Sequence, residues 1–322
     1  MGHGRGRRSH HRAGPRARRG TSLTALAVIL LIALPPEGSA GRTPACGGEL
    51  PTIQGTAGDD RLVGTPGLDV IAAGDGDDVV LGLGGADRIC GGRGDDRLRG
   101  GEDRDLLFGG PGDDVIRGGP GGDGLQGGAA RDRLLGGRGA DVALGGPHGD
   151  RIAGGPGRDT AVGGLIGGGG PDLIRGGPGS DRLTDGPGRD RLLGGRGPDM
   201  LIPSRHAQED LLDGQAGRDL VFYFHVPRGV RVHLASGLAE GYGNDRLSRI
   251  EDAEGSRFDD VLIGDGGPNE LLGVEGDDRI LGRGGPDLLD GFAGTDVLRG
   301  GPGRDRCIDG ERHRSCEAIW PP

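Results

Sequence analysis

Between Gly55 and Ile202 the chain divides into nonapeptides whose sixth residue never changes. Twelve units run without a gap to Val162, and four more run from Gly167 to Ile202 after the insertion "GGLI". That sixth residue is Asp60, Asp69, Asp78, Asp87, Asp96, Asp105, Asp114, Asp123, Asp132, Asp141, Asp150, Asp159, Asp172, Asp181, Asp190 and Asp199. Carboxylates repeated at fixed spacing suit two kinds of chemistry, acid–base catalysis and cation binding. Adjacent pairs such as Asp59-Asp60, Asp77-Asp78, Asp95-Asp96 and Asp113-Asp114 could imitate a glycosidase acid and base. Neighbours on one turn do not flank a sugar bond, however, and the pairs recur too regularly for a single active site.

Cation binding accounts for the surroundings as well. If the units stack, the Asp of one coil lies above that of the next, and without a counter-charge the two repel and favour unfolding. Calcium takes six to eight hard oxygen ligands in flexible geometry at about 2.3–2.6 Å. Glycine-rich turns supply backbone carbonyls for such an ion, because the backbone can take left-handed conformations and approach closely. No soft-ligand cluster points to zinc or copper.

The elements that must hold these carboxylates follow from the eighth residue, which is apolar in every unit from Leu62, Ile71 and Val80 to Leu201. A nine-residue period with one inward side chain suits a turn and a short strand stacked in parallel on its neighbours. Two nonapeptides per coil place residues eighteen apart in register at about 4.8 Å, with the eighth residues forming a thin Leu/Ile/Val column between two sheets. Sixteen units then make a rod about 38 Å long. Two weaker units carry Asp210 and Asp219, and a second block starts at Gly255 with Asp260, Asn269, Asp278, Asp287, Asp296 and Asp305 in sixth place. Between the blocks, residues 223–254 hold the alternating "VRVHL", a half-buried strand, and one partial unit around Gly243-x-Asp245.

These units resemble the G-G-x-G-x-D-x-U-x repeat of RTX, or haemolysin-type, calcium-binding proteins over about 55–222 and 255–308. The spacer's "GVRVHL" and "GLAEGYGNDRLSRIED", and the "GSRFDDVLIGDGGPNELLG" that follows, also resemble intervening segments of such proteins. The resemblance implies an all-β fold, a parallel β-roll (β-solenoid), disordered without Ca2+ and folded with multiple ions. The ligands it implies are turn carbonyls and the sixth-position aspartates, Asp60 through Asp199 as named above with Asp260, Asp278, Asp287, Asp296 and Asp305. The chain departs from the pattern at Asp103, Ala130 and His148 in fourth position, Asp185 in first position and Asn269 in sixth. Those turns are expected to bind calcium weakly or not at all.

The first 40 residues differ from the rest: seven arginines, then "LTALAVILLIAL", then "PPEGSA". The apolar run is too short to span a bilayer and reads as a cleaved export signal, leaving a mature chain from near Gly41 with no transmembrane segment. RTX toxins and proteases usually carry an uncleaved C-terminal signal, so export here follows a different route. Removing 1–40 takes seven of 39 basic and one of 49 acidic residues, leaving 32 against 48, a net charge of −16. Such a chain offers no footprint for nucleic acid or an anionic membrane. Arginines in seventh position, such as Arg61, Arg97 and Arg133, read as a solvated, charge-balancing face.

Four cysteines in an exported chain are expected to be oxidised, and Cys46 with Cys90 and Cys307 with Cys316 are the favoured clips of three possible pairings. Cys307 and a regular Cys316 would face each other across the core, so the last unit must bend. His206, His225 and His233 lack a Cys or a helically spaced carboxylate and read as surface or half-buried strand histidines rather than zinc ligands. Gly119-x-Gly121-x-x-Gly124 and Arg93-Gly94-Asp95 are products of the repeat, and no H-E-x-x-H, G-x-S-x-G or Cys-His pairing is present.

The organisation expected is a signal at 1–40, an N-terminal cap at 41–54, roll blocks at 55–222 and 255–308 around a spacer at 223–254, and a C-terminal cap at 309–322. The function expected is a secreted, extracellular, non-catalytic calcium-binding protein. A calcium-dependent structural or adhesive surface protein is the alternative, and a carbohydrate-active solenoid is a weaker one.

Overall fold

The computed structural model describes residues 46–162, 169–204, 206–309, 312–314 and 316. The signal read at 1–40, the "GGLI" insertion and most of the C-terminal cap lie outside them. Each repeat supplies one strand that begins just after its Asp, where the glycine-rich turn ends and alternating side chains resume. Successive strands go to opposite sheets, so parallel neighbours in one sheet come from every second repeat. Among the described residues one sheet has 14 strands and the other 16. In the first, Ile71 pairs with Ile89, Ile89 with Leu107 and Leu107 with Leu125. In the second, Leu98 pairs with Ile116 and Ile116 with Leu134. This eighteen-residue register makes the fold a parallel β-roll.

The eighth residues of both sheets meet in one continuous apolar cluster from Ile71 to Leu298, nearly all of it inaccessible to solvent. Each buried Leu, Ile or Val contributes about 1.5–3 kcal/mol relative to exposure. The column is one side chain deep from each sheet, so the backbone ladder and the turns carry the rest of the order.

Residues 223–254 do not interrupt the stack. In the first sheet Asp252–Glu254 lies between Leu220–Phe222 and Glu270–Glu275. In the second, Asn244–Ser248 continues in parallel from Leu211–Ala216. From there the sheet passes through Leu238–Glu240, antiparallel to both its neighbours, to Arg231–His233, which pairs in parallel with Val261–Ile263. The short 3-10 turn Leu234–Ser236 reverses the chain between two of these strands; His233 Nδ1 accepts the Ser236 amide at its start. Both repeat blocks are therefore joined through both sheets. Tyr223 is fully buried at this junction, its hydroxyl donating to Asp245 Oδ2 at 3.0 Å.

At the start of the roll Cys46 is disulfide-bonded to Cys90 and packs on Val70 and Ala72. At the far end Cys307 is bonded to Cys316. Val297 pairs with Arg312 and Leu298 with His313, three residues short of the regular spacing. That slip takes Cys316 out of the regular column, which is how a bond impossible across an undistorted core can form.

Candidate metal centre

The sixth-position aspartates form two buried columns, one along each side of the roll. In each, Oδ1 accepts the amide N–H of the equivalent Asp one coil earlier: Asp78 from Asp60, Asp96 from Asp78, Asp114 from Asp96 and Asp132 from Asp114, all at 2.8–2.9 Å. The second column repeats this from Asp69 through Asp87, Asp105 and Asp123. Insertions do not break it, since Asp150 reaches Asp172 and Asp190 reaches Asp210 at 2.8 Å. The exposed fifth-position aspartates make a ladder of opposite polarity, Asp77 N–H donating back to Asp59 and Asp95 N–H back to Asp77. These pairs are turn structure, not an acid–base couple.

The other carboxylate oxygen is the unusual one. From Asp78 through Asp199, and again at Asp278, Asp287 and Asp305, Oδ2 is buried with no hydrogen-bond partner. A lone orphaned carboxylate oxygen is costly in a protein interior, and a column of them requires positive charge or protons. Burial foremost, and then the neighbouring aspartates, push Asp114 up to about 9 and Asp172 to about 8, with Asp96, Asp132 and Asp278 at about 7.

The first-position glycine shows where a cation fits. A Cβ built on Gly109 would overlap both Oδ2 of Asp114 and the carbonyl oxygen of Gly127 in the next coil. The same convergence recurs at Gly91 with Asp96 and Gly109, and at Gly136 with Asp141 and Gly154. Oxygens from two successive coils thus face one small space that only glycine leaves open. Hard anionic and carbonyl oxygens so disposed fit a calcium ion.

Sequence spacing treats all these aspartates alike, and the structure divides them. Asp60 Oδ2 accepts the backbone N–H of Thr56 at 2.6 Å and its hydroxyl at 2.9 Å, and Asp69 is held in the same way by Thr65. Ser256 donates its amide and hydroxyl to Asp260. In these units a hydroxyl residue stands where most others have the second glycine, and the carboxylate is satisfied locally. Asn269 accepts the Asp265 amide and donates from Nδ2 to the Glu251 carbonyl at 2.7 Å, so it keeps its place by hydrogen bonding without charge. Asp103, Ala130 and His148 hold the left-handed backbone of the fourth position, with φ of 75°, 87° and 84°. Leu83, Gln215, Val274, Arg283 and Phe292 do so at the second. Each costs about 1–2 kcal/mol relative to glycine.

Two further residues join the columns, Asp245 of the partial unit in the spacer and Glu251, which spacing misses. Asp245 accepts the Asp210 amide at 3.2 Å, and Glu251 Oε2 accepts the Asp219 amide at 2.9 Å, extending both columns one step into the spacer. His206 lies on a bend rather than in a strand, its side chain only 8% exposed, with Nε2 3.6 Å from Asp185 Oδ1 and 3.7 Å from Asp210 Oδ2. The legible signal was that Asp185 and His206 replace first- and second-position residues of stacked units.

No curated protein matches the chain. A similar solved structure is the X-ray crystal structure of a hyperactive, Ca2+-dependent, β-helical antifreeze protein from an Antarctic bacterium. It is 20% identical over 70% of this chain and 84% of that one, with a TM-score of 0.26. The model of the RTX calcium-binding nonapeptide repeat (4 copies) matches residues 54–89, 91–125, 126–161, 166–201 and 272–307, more than half of the sequence. With its coil register, its aspartate columns and this match, the chain belongs to the RTX calcium-binding nonapeptide-repeat family.

Proposed function

We propose that this chain is an exported, non-catalytic protein that folds when calcium ions neutralise its stacked aspartates. The observation that carries this is the run of buried, unpartnered Oδ2 atoms from Asp78 to Asp199, many of them, such as those of Asp96, Asp114 and Asp141, beside a first-position glycine and a carbonyl of the next coil. The residues assigned to the ions are the sixth-position aspartates with orphaned Oδ2, together with those carbonyls. Asp60, Asp69 and Asp260 have their own hydrogen-bond donors and bind least strongly.

Calcium would supply the positive charge that lets two carboxylates sit one coil apart. The unfolded chain has no preformed site, so binding free energy becomes folding free energy. Affinities of about 10⁻⁴–10⁻³ M, typical of extracellular modules, would tie folding to the calcium level outside the cell. Circular dichroism of the refolded chain tests this: the spectrum moves from coil to β on adding calcium and returns with chelator. A β spectrum at neutral pH that chelator leaves unchanged would overturn the proposal.

A further inference from the structure

Where the roll takes up the two-residue insertion at Pro203-Ser204, four buried side chains meet that the repeat does not explain. Asp185, Asp190, His206 and Asp210 each offer a donor atom, and these atoms lie within 4.8 Å of one another. Oδ2 of Asp185, Oδ2 of Asp190 and Nε2 of His206 are all buried without a hydrogen-bond partner. The imidazole stands 3.6 and 3.7 Å from Asp185 and Asp210, too far for hydrogen bonds.

The carboxylates are nonetheless held in place. Asp185 Oδ1 accepts the Ser204 amide at 2.6 Å, Asp190 Oδ1 the Asp172 amide at 2.8 Å, and Asp210 Oδ1 the Asp190 amide at 2.8 Å. His206 turns Nε2 inward while Nδ1 takes the Gln208 amide at a long 3.4 Å. An imidazolium would bring one positive charge to three carboxylates; a divalent ion brings two.

We propose that Asp185, Asp190, His206 and Asp210 bind one divalent first-row transition-metal ion, a site distinct in chemistry from the calcium turns on either side. The donor set is the reason. Calcium prefers oxygen alone, whereas an imidazole beside carboxylates suits zinc or iron(II). Ligands at about 2.0–2.2 Å around a tetrahedral ion lie about 3.3–3.6 Å from one another, so the four atoms must draw together by about 1 Å or more at their widest spacing. A ligating Nε2 carries its proton on Nδ1, so the Gln208 contact gives way on binding. The site depends on the roll fold and shares Asp190 and Asp210 with the aspartate columns, but it needs no ion in any other turn.

The test uses the full chain in saturating calcium, titrated with Co2+ and read by its visible absorption, with zinc content measured after dialysis. One ion per chain is expected, retained in millimolar calcium. Asp185→Gly restores the residue usual in the repeat, and it should weaken Co2+ binding at least about tenfold while leaving the calcium-induced β spectrum unchanged. His206→Gln should do the same. In the unmodified chain, Zn2+ should shift the NMR signals of a single histidine, which reads the contact without any substitution. Absence of Co2+ uptake, uptake unaffected by both substitutions, complete displacement by calcium, or no histidine shift would each overturn the assignment.

Discussion

The amide N–H of Asp114 donates to Oδ1 of Asp132, eighteen residues on, at 2.9 Å, which fixes two carboxyl groups one coil apart inside the protein. Burial first, and then the charges of Asp132 and Asp96, raise Asp114 to about 9 from an ordinary 3.8, the Asp96 amide only partly offsetting them.

Protons should therefore substitute for calcium. The folded roll binds more protons than the unfolded chain wherever the raised groups titrate, so its ion-free stability is fully present below about pH 4. It falls as pH rises through the folded values, from about 6 at Asp141 to about 9 at Asp114. In chelator, circular dichroism should show β structure at pH 4 and coil at pH 9, and calcium should abolish the difference. A chelated chain that gains β structure on alkalinisation would contradict this.

Asp114→Asn separates the two oxygens of one carboxyl. Its amide oxygen can still take the Asp96 N–H, as Asp114 Oδ1 does at 2.8 Å, while the negative charge is gone. The variant should be no less stable than the parent in chelator at pH 4, where the parent keeps β structure. In calcium it should lose about 1–3 kcal/mol and part of the binding heat, measured by denaturation and calorimetry.

Two glycine substitutions give opposite outcomes. Alanine at Gly109 would place its methyl on Asp114 Oδ2 and the Gly127 carbonyl, and should cost about 1–3 kcal/mol with weaker calcium response. Alanine at Gly58 meets no atom within 4 Å, and its thermal midpoint in calcium should stay within error of the parent.

The Cys46–Cys90 bond ties residues 44 apart at the start of the roll. Replacing both by serine should lower stability in calcium by about 2–5 kcal/mol, seen as an earlier melting midpoint. An unchanged midpoint would mean that the apolar packing of that end suffices without the bond.

The period, the inward eighth residue and the aspartate columns were legible because one local pattern is copied with fixed spacing, so a single unit predicts the rest. What escaped depends on which coil stacks on which. Glu251, and the place of the partial unit's Asp245 beside Asp210, follow only once the spacer has folded back antiparallel through Leu238–Glu240. His206 joins Asp185 only after a two-residue insertion is absorbed between coils, and linear spacing hides that. Thr56, Thr65 and Ser256 read as plain departures from glycine until their hydroxyls are seen against Asp60, Asp69 and Asp260.

Those three hydroxyl residues give the roll starting points. The coils of Thr56 and Thr65 at one end and of Ser256 after the spacer meet their polar needs without an ion, whereas each later coil adds an oxygen that must be neutralised. If calcium drives folding as proposed, order would be seeded at two addresses along the chain, and the supply of cations would set how far it spreads from each.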